Sequence, residues 1–280
     1  MAEHGTARRR RIHPFSLVVF GLTVLGTALI YHEQAGGQNG TTNPPAVAQP
    51  PVQPVNAQPL DQPLAMMYEA RRKFGDVRDY TCTLQSRENV RGKLLDENVM
   101  TLKVRNQPFS IYMRWIAPKA AQGQEVCFVL GKNDNMMRVH SNTLGKGKAL
   151  GFVSISPTDK RVADHSRHTI YEAGLGNLIE QTIKLFELAK KMNKTQVKIG
   201  EYVYNNRRCT RIETTSPERL EGFYCYRSVL YIDNDTKLPV RAENYDWPRQ
   251  GGPPEGELLE MFSYIDLRFN VGLTDQEFSK

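Results

Sequence analysis

The chain lacks the short motifs that mark several common enzyme classes. It has no GxSxG, no Walker-type phosphate loop and no HExxH, so the local signatures of serine hydrolases, P-loop nucleotide users and zinc peptidases are missing. Ser141, Ser154, Ser156 and Ser166 carry no nucleophile signature, which leaves open only a triad assembled from distant residues. Cysteine is scarce. The four, at positions 82, 127, 209 and 225, include no CxxC or CxxxC pair, which argues against a structural zinc site. None stands just after the single long apolar run, which excludes lipid attachment at that point. No internal repeat and no cofactor motif is found, so no cofactor is expected.

Excess basic charge is also small outside the N-terminus. The net charge is +7 over 280 residues. Arg8, Arg9, Arg10 and Arg11, set against Glu3, place +3 of it in residues 1–14. The rest of the chain has no long basic run, and Lys190, Lys191 and Lys194 fall at the end of a predicted helix, where cations complement the helix dipole. Nucleic-acid binding needs a basic face on the folded domain, so no nucleic-acid partner is expected.

What is present at the N-terminus reads as three segments. Residues 1–14 are a basic cytoplasmic tail. Residues 15–31, FSLVVFGLTVLGTALIY, are uncharged and lie at the short end of what spans a bilayer. A cleaved signal peptide shares this layout but wants small residues at its cleavage site. Ala28-Leu29-Ile30 does not supply them and Glu33-Gln34-Ala35 does so poorly. The favoured reading is an uncleaved transmembrane signal anchor, with the arginines on the cytoplasmic side. The membrane is then a partner, and the fold lies in the periplasm or its extracytoplasmic equivalent. Residues 32–60 are rich in Pro, Gln, Gly, Asn and Thr, a composition of disorder. At ~3.1 Å per residue in the polyproline limit, such a linker reaches on the order of 80–90 Å.

Residues 61–280 carry periodic apolar patterns. Asp61 and Pro63 open a helix that Gly75 ends. Leu175–Met192 is a second helix, with Leu178, Ile179, Leu185 and Phe186 on one side. Met100 to Trp115 reads as a hairpin. Met100, Leu102 and Val104 alternate with polar residues, Asn106 to Pro108 supply a turn, and Phe109, Ile111, Met113 and Trp115 alternate again. Val126 to Leu130 is a continuous apolar run, as in a strand buried on both faces. Strands are expected at 80–88, 136–140, 196–204, 208–214, 223–233, 238–245 and 257–269. In the last, Leu259, Met261, Ile265, Leu267 and Phe269 are read onto one face. Short connections imply antiparallel neighbours. The fold class is mainly β (α+β): about ten strands must curl, giving a curved antiparallel half-barrel with covering helices.

Cys209 and Cys225 are symmetric about Pro217, the expected turn between two strands. Antiparallel pairing would set them opposite each other, so they are the expected disulfide, with buried thiols as the alternative. Asp164, His165 and His168 are the only residues clustered like metal ligands. They lie in a loop-like stretch with no helix to fix them, so a structural role is preferred to a metal site.

The run from Lys103 to Trp115, Gly131-Lys132-Asn133-Asp134, and Glu172-Ala173-Gly174-Leu175-Gly176-Asn177-Leu178 resemble a bacterial family, common in planctomycetes, catalogued as a domain of unknown function. Tyr231-Ile232-Asp233, Leu238-Pro239-Val240-Arg241, Tyr245-Asp246 and Asn270-Val271-Gly272-Leu273 fit the same pattern. The resemblance covers roughly residues 64–280. It implies the fold of the periplasmic lipoprotein carriers of the Lol system, which hold acyl chains under their helices. On that expectation the chain is a binding protein, not an enzyme, for a lipid, acyl chain, lipoprotein or other apolar ligand. The candidate cavity lining is Met100, Leu102, Phe109, Ile111, Met113, Trp115, Leu178, Leu185, Met261 and Ile265. Two other readings stand beside it: an envelope interaction or sensor module without lipid transfer, and a hydrolase using His165 or His168.

Overall fold

The computed structural model describes residues 60–141 and 151–280. The basic tail, the apolar run 15–31 and residues 32–59 of the linker lie outside them. The first helix, α1 (Asp61–Phe74), is followed by β1 (Asp79–Val90) and a short return strand, β2 (Lys93–Leu94). A meander comes next: β3 (Asn98–Arg105), β4 (Ser110–Ala117), β5 (Glu125–Val129), β6 (Met137–His140) and β7 (Val153–Ile155). A short helix, α2 (Lys160–Ala163), leads to the long α3 (Leu175–Met192). A second meander follows, made of β8 (Gln196–Tyr204), β9 (Arg207–Thr215), β10 (Arg227–Asp233), β11 (Pro239–Tyr245) and β12 (Leu258–Phe269).

The two meanders meet where β1 pairs with β12, and together they form one twelve-stranded sheet with neighbours antiparallel throughout. Strands β7 and β8 are its two edges, so the sheet is open. A sheet this wide curls. The segment joining β7 to β8, which contains α3, must cross from one edge of the sheet to the other. It does so against the inner face and packs on α1, where the Tyr68 hydroxyl donates to Glu187 at 2.8 Å.

Alternation fixes the two faces. On β3, Asn98, Met100, Leu102 and Val104 are buried, with Met100 opposite Trp115 and Leu102 opposite Met113 on β4. These residues join Tyr80, Leu84, Phe128 and Leu175 in one inner core. A second inner core gathers Met67, Ile183, Phe186, Ile212, Leu230 and Ala242 beneath the helices. Leu60, assigned to the linker by composition, is buried in it. The outer face is covered in part as well. Tyr112, Cys127 and Val129 pack under Phe278, near the C-terminus. Asp275 pins this segment with ion pairs to Arg105 at 2.7 Å and Lys132 at 3.0 Å.

Three sequence expectations are corrected here. Met261 and Ile265 are opposite Arg87 and Thr83, so they lie on the outer face, and Phe262 and Tyr264 are the inward residues of β12. The single-face pattern read for 257–269 is broken by a bulge at Asp266, whose φ is +55°, after which Phe269 faces Tyr80. The Cys209–Cys225 disulfide is absent. Cys209 is opposite Asp233, because the β9–β10 register centres near residue 221 and not on Pro217. That places the two sulfurs on the order of 25 Å apart along the strands. All four cysteines are buried free thiols.

Candidate functional site

A cleft runs between the inner face of the sheet and α3. One wall comes from α3, through Leu178, Gln181, Thr182 and Leu185, and from Gly174 and Asn177 at its start. The other comes from inward sheet positions: Leu84, Leu102, Met113, Leu230, Ala242, Phe262 and Tyr264. The void proper is about 50 Å³, the space of a few waters. Counted with its solvent-open mouth, the empty space is about 710 Å³.

The position of α3 is set by β1. Gly174, φ +97°, has no side chain to cap the helix, and the Tyr80 hydroxyl takes that role by accepting the Leu175 N–H at 2.8 Å. A Cβ at Gly174 would come within 2.8 Å of that hydroxyl oxygen. The motif at 172–178 is thus a junction that aims the helix across the sheet.

The cleft turns polar where it meets His168, Glu260, Asn244, Ser228 and Tyr224. His168 is only 1% exposed. Its Nε2 lies 2.7 Å from Glu260 Oε2, and its ring stacks edge-on against Phe262 at 5.4 Å. Asn244 Nδ2 donates to Glu260 Oε1 at 2.8 Å and to the Tyr224 hydroxyl at 2.9 Å. Arg167 Nε approaches Glu260 Oε2 at 3.4 Å as an ion pair, and Arg167 Nη1 donates to the Asn89 carbonyl. Burial works to raise the Glu260 carboxyl, but the proximity of His168 and Arg167, with hydrogen bonds from His168 and Asn244, holds it below the usual range.

A second carboxyl, Glu88, is buried beside this cluster. It accepts the Arg167 backbone N–H at 2.9 Å, and burial pushes it up to about 7. Three buried polar atoms in this region have no hydrogen-bond partner among the described residues: His168 Nδ1, Arg167 Nε, which makes only its ion pair with Glu260, and the Oγ of Ser86, which faces inward on β1.

The ten candidate lining residues therefore separate. Leu102, Met113, Leu178 and Leu185 line the cleft. Met100, Ile111 and Trp115 are packed core, with Trp115 Nε1 donating to Asn98 Oδ1 at 3.1 Å. Phe109 sits in the hairpin turn beside Phe128, outside the cleft lining. Met261 and Ile265 are on the other face. The metal candidates diverge as well: Asp164 is exposed and pairs with Arg91 at 2.5 Å, while His168 is buried against Glu260. Among the described residues no three His, Cys, Asp or Glu converge as metal ligands.

Sequence reasoning passed over Glu88, Arg167, Asn244 and Glu260. A signal for the two glutamates was present. Each shares the inward parity of its strand, Glu88 with Cys82 and Leu84, and Glu260 with Phe262 and Tyr264. A carboxylate at an inward position needs a partner or a proton.

Fold and cleft define a class: a wide, open antiparallel sheet carrying helices on its inner face, with a mixed apolar and polar cleft between the layers. Within that class the chain belongs to the family described as "Protein of unknown function (DUF1571)", whose model matches residues 77–280. No curated protein matches the chain. Among solved structures, it is similar to an uncharacterized conserved protein of Thermus thermophilus, with 10% identity, 79% of this chain and 94% of that one covered, and a TM-score of 0.44. It is also similar to lipoprotein LppX of Mycobacterium tuberculosis, with 13% identity, coverage of 76% and 98%, and a TM-score of 0.43. The MucA/MucB complex of Pseudomonas aeruginosa gives 14% identity, coverage of 77% and 60%, and a TM-score of 0.42. Likenesses this distant leave function to be argued from the cleft itself.

Proposed function

We propose that this protein is a membrane-anchored, extracytoplasmic binding protein that holds a lipid, acyl chain or other apolar ligand between its sheet and α3, and that it acts by binding and not by catalysis. The observation that carries the reading is the cleft. Apolar side chains from both layers face each other across a space that opens to solvent. Transfer of a chain into such a space gains ~0.8 kcal/mol per buried methylene. The void is narrow, so full occupancy requires α3 to move outward from the sheet. Membrane attachment rests on Arg8 to Arg11 preceding the apolar run 15–31. No helix among the described residues is long and apolar enough to cross a membrane.

The narrow void also supports a second reading, an envelope module that binds a protein partner and transfers no lipid. Titrating the full chain with a fluorescent fatty-acyl probe separates the two. Saturable binding that Leu185→Trp weakens is expected. Absence of saturable binding would favour the protein-partner reading.

A further inference from the structure

We propose that a notch at one end of the sheet, above the β10–β11 turn, is a binding site for a neutral sugar. It is a second space beside the cleft, and Tyr264 belongs to both linings.

The notch follows from strand lengths. At one level of the sheet, Ser263 of β12, Arg241 of β11, Tyr231 of β10 and Arg211 of β9 lie in register. Beyond that level β10 and β11 stop within two residues, at Asp233 and Pro239, whereas β9 reaches Arg207 and β12 reaches Phe269. Pro239 has no N–H with which to extend its ladder. The walls on β9 and β12 are therefore three strand spacings apart, about 14 Å between backbones. The β8–β9 hairpin lines one wall from Tyr204 to Arg207, and the tail of β12 lines the other. In that tail the bulge at Asp266, φ +55°, interrupts the pairing with β1, a device that re-aims side chains. The void is about 210 Å³, and with its open mouth the space is about 690 Å³, within the range of small-molecule sites.

The chemistry of the walls selects the ligand. Arg207 donates from Nε to the buried Asp233, which also accepts from the backbone N–H groups of Asp235 and Thr236. The guanidinium is thus held in place with its charge met, and its two Nη groups make no bond among the described residues. The side chains of Asn205, Asn206 and Asp266 make none either. Asn205 and Asn206 are both left-handed, with φ +48° and +61°, as in a tight two-residue hairpin turn that fixes where they stand. Amides that donate and accept, a guanidinium that donates and a carboxylate that accepts suit a row of adjacent hydroxyls. Each hydroxyl donates to one group and accepts from the next. Tyr204 and Phe269 add ring carbon to opposite walls, a surface for the C–H face of a sugar. Asp266 is the one charge of the lining without a counter-charge, which disfavours an anion. A bare acyl chain would cover these polar groups and leave them unpaired, which is costly.

The test is saturation-transfer NMR on the full-length protein. Glucose, galactose, mannose and N-acetylglucosamine are the neutral probes, and glucosamine and glucuronate the charged ones. Saturable transfer to at least one neutral sugar is expected, and none to glucuronate. Asn206→Gly keeps the left-handed turn and removes an amide, and Asp266→Asn keeps the size of the side chain and removes the carboxylate. Both positions are exposed, so both variants are expected to melt at the wild-type temperature. Each is expected to weaken the bound neutral sugar about 5- to 10-fold, the worth of one hydrogen bond. Either variant decides the matter if the other loses its fold. A neutral sugar that binds equally to wild type and variants would overturn the notch as its site. Tightest binding by glucosamine or by glucuronate would overturn the neutral ligand. Absence of saturable transfer to every probe would overturn the proposal.

Discussion

Glu88 is the residue whose chemistry is most exposed to test. Burial raises its carboxyl from 4.5 to about 7. Between those values the folded protein holds a proton that the unfolded chain has released. Stability from this group is therefore fully present below about 4.5 and lost as pH rises through about 7. Glu88→Gln keeps an acceptor for the Arg167 N–H and removes the ionisation. Its unfolding free energy should be flatter than wild type between pH 5 and 8, and higher at pH 8 by up to about 3 kcal/mol. Urea denaturation at the two pH values measures this, and identical slopes in the two proteins would contradict it. Tyr80 offers a second residue-scale test. Tyr80→Phe leaves the buried Leu175 N–H without its acceptor, which should cost about 1–2 kcal/mol. A loss below a few tenths would show that another group caps α3. The cysteines give a third. Burial pushes Cys209 up to about 11 and Cys225 further, so both stay thiols. Non-reduced, denatured protein should label at all four positions, and fewer labels would mean that a bridge forms.

At the scale of elements, the sequence was legible where local signals were strong. The helix Leu175 to Met192 begins and ends at the residues expected, because apolar periodicity marks it clearly; α1 ends at Gly75 as expected, but Asp61, read as its cap, is its first helical residue, and Leu60 holds the cap position without a side-chain hydrogen bond. The hairpin of β3 and β4 was legible by parity. What was not legible depends on register. A bulge at Asp266 reverses parity within one strand, and a long β9–β10 connection moves the pairing centre four residues past Pro217. Neither leaves a mark in composition. The cleft shows the same limit, since alternation says which residues face inward but not which meet a space. Ile111 meets other side chains and Leu185 meets the cleft. Ile111→Trp should therefore cost ~1–3 kcal/mol by overpacking. Leu185→Trp should cost less than that and reduce uptake of a fatty-acyl probe. Thermal melts together with probe titration check both, and a reversed order of stability losses would misplace the cleft.

The described part of the molecule is two meanders joined at β1 and β12, with the β7–β8 segment, α3 included, crossing the inner face and the C-terminal segment clasping the outer face. On the proposed reading α3 is the part that moves to admit a ligand; the fold sets the polar cluster of His168 and Glu260 on the inner face near the sheet's middle strands. The N-terminal run and linker, as proposed, would hold this body at a distance from the membrane. The central claim is that the cleft carries an apolar ligand. Mass spectrometry of organic extracts from the purified full-length protein tests it most directly, with Leu185→Trp purified in parallel. The account predicts a long-chain species at near-stoichiometric amount in the wild type and a several-fold smaller amount in the variant. Extracts in which neither protein carries more lipid than an unrelated protein purified the same way would contradict it.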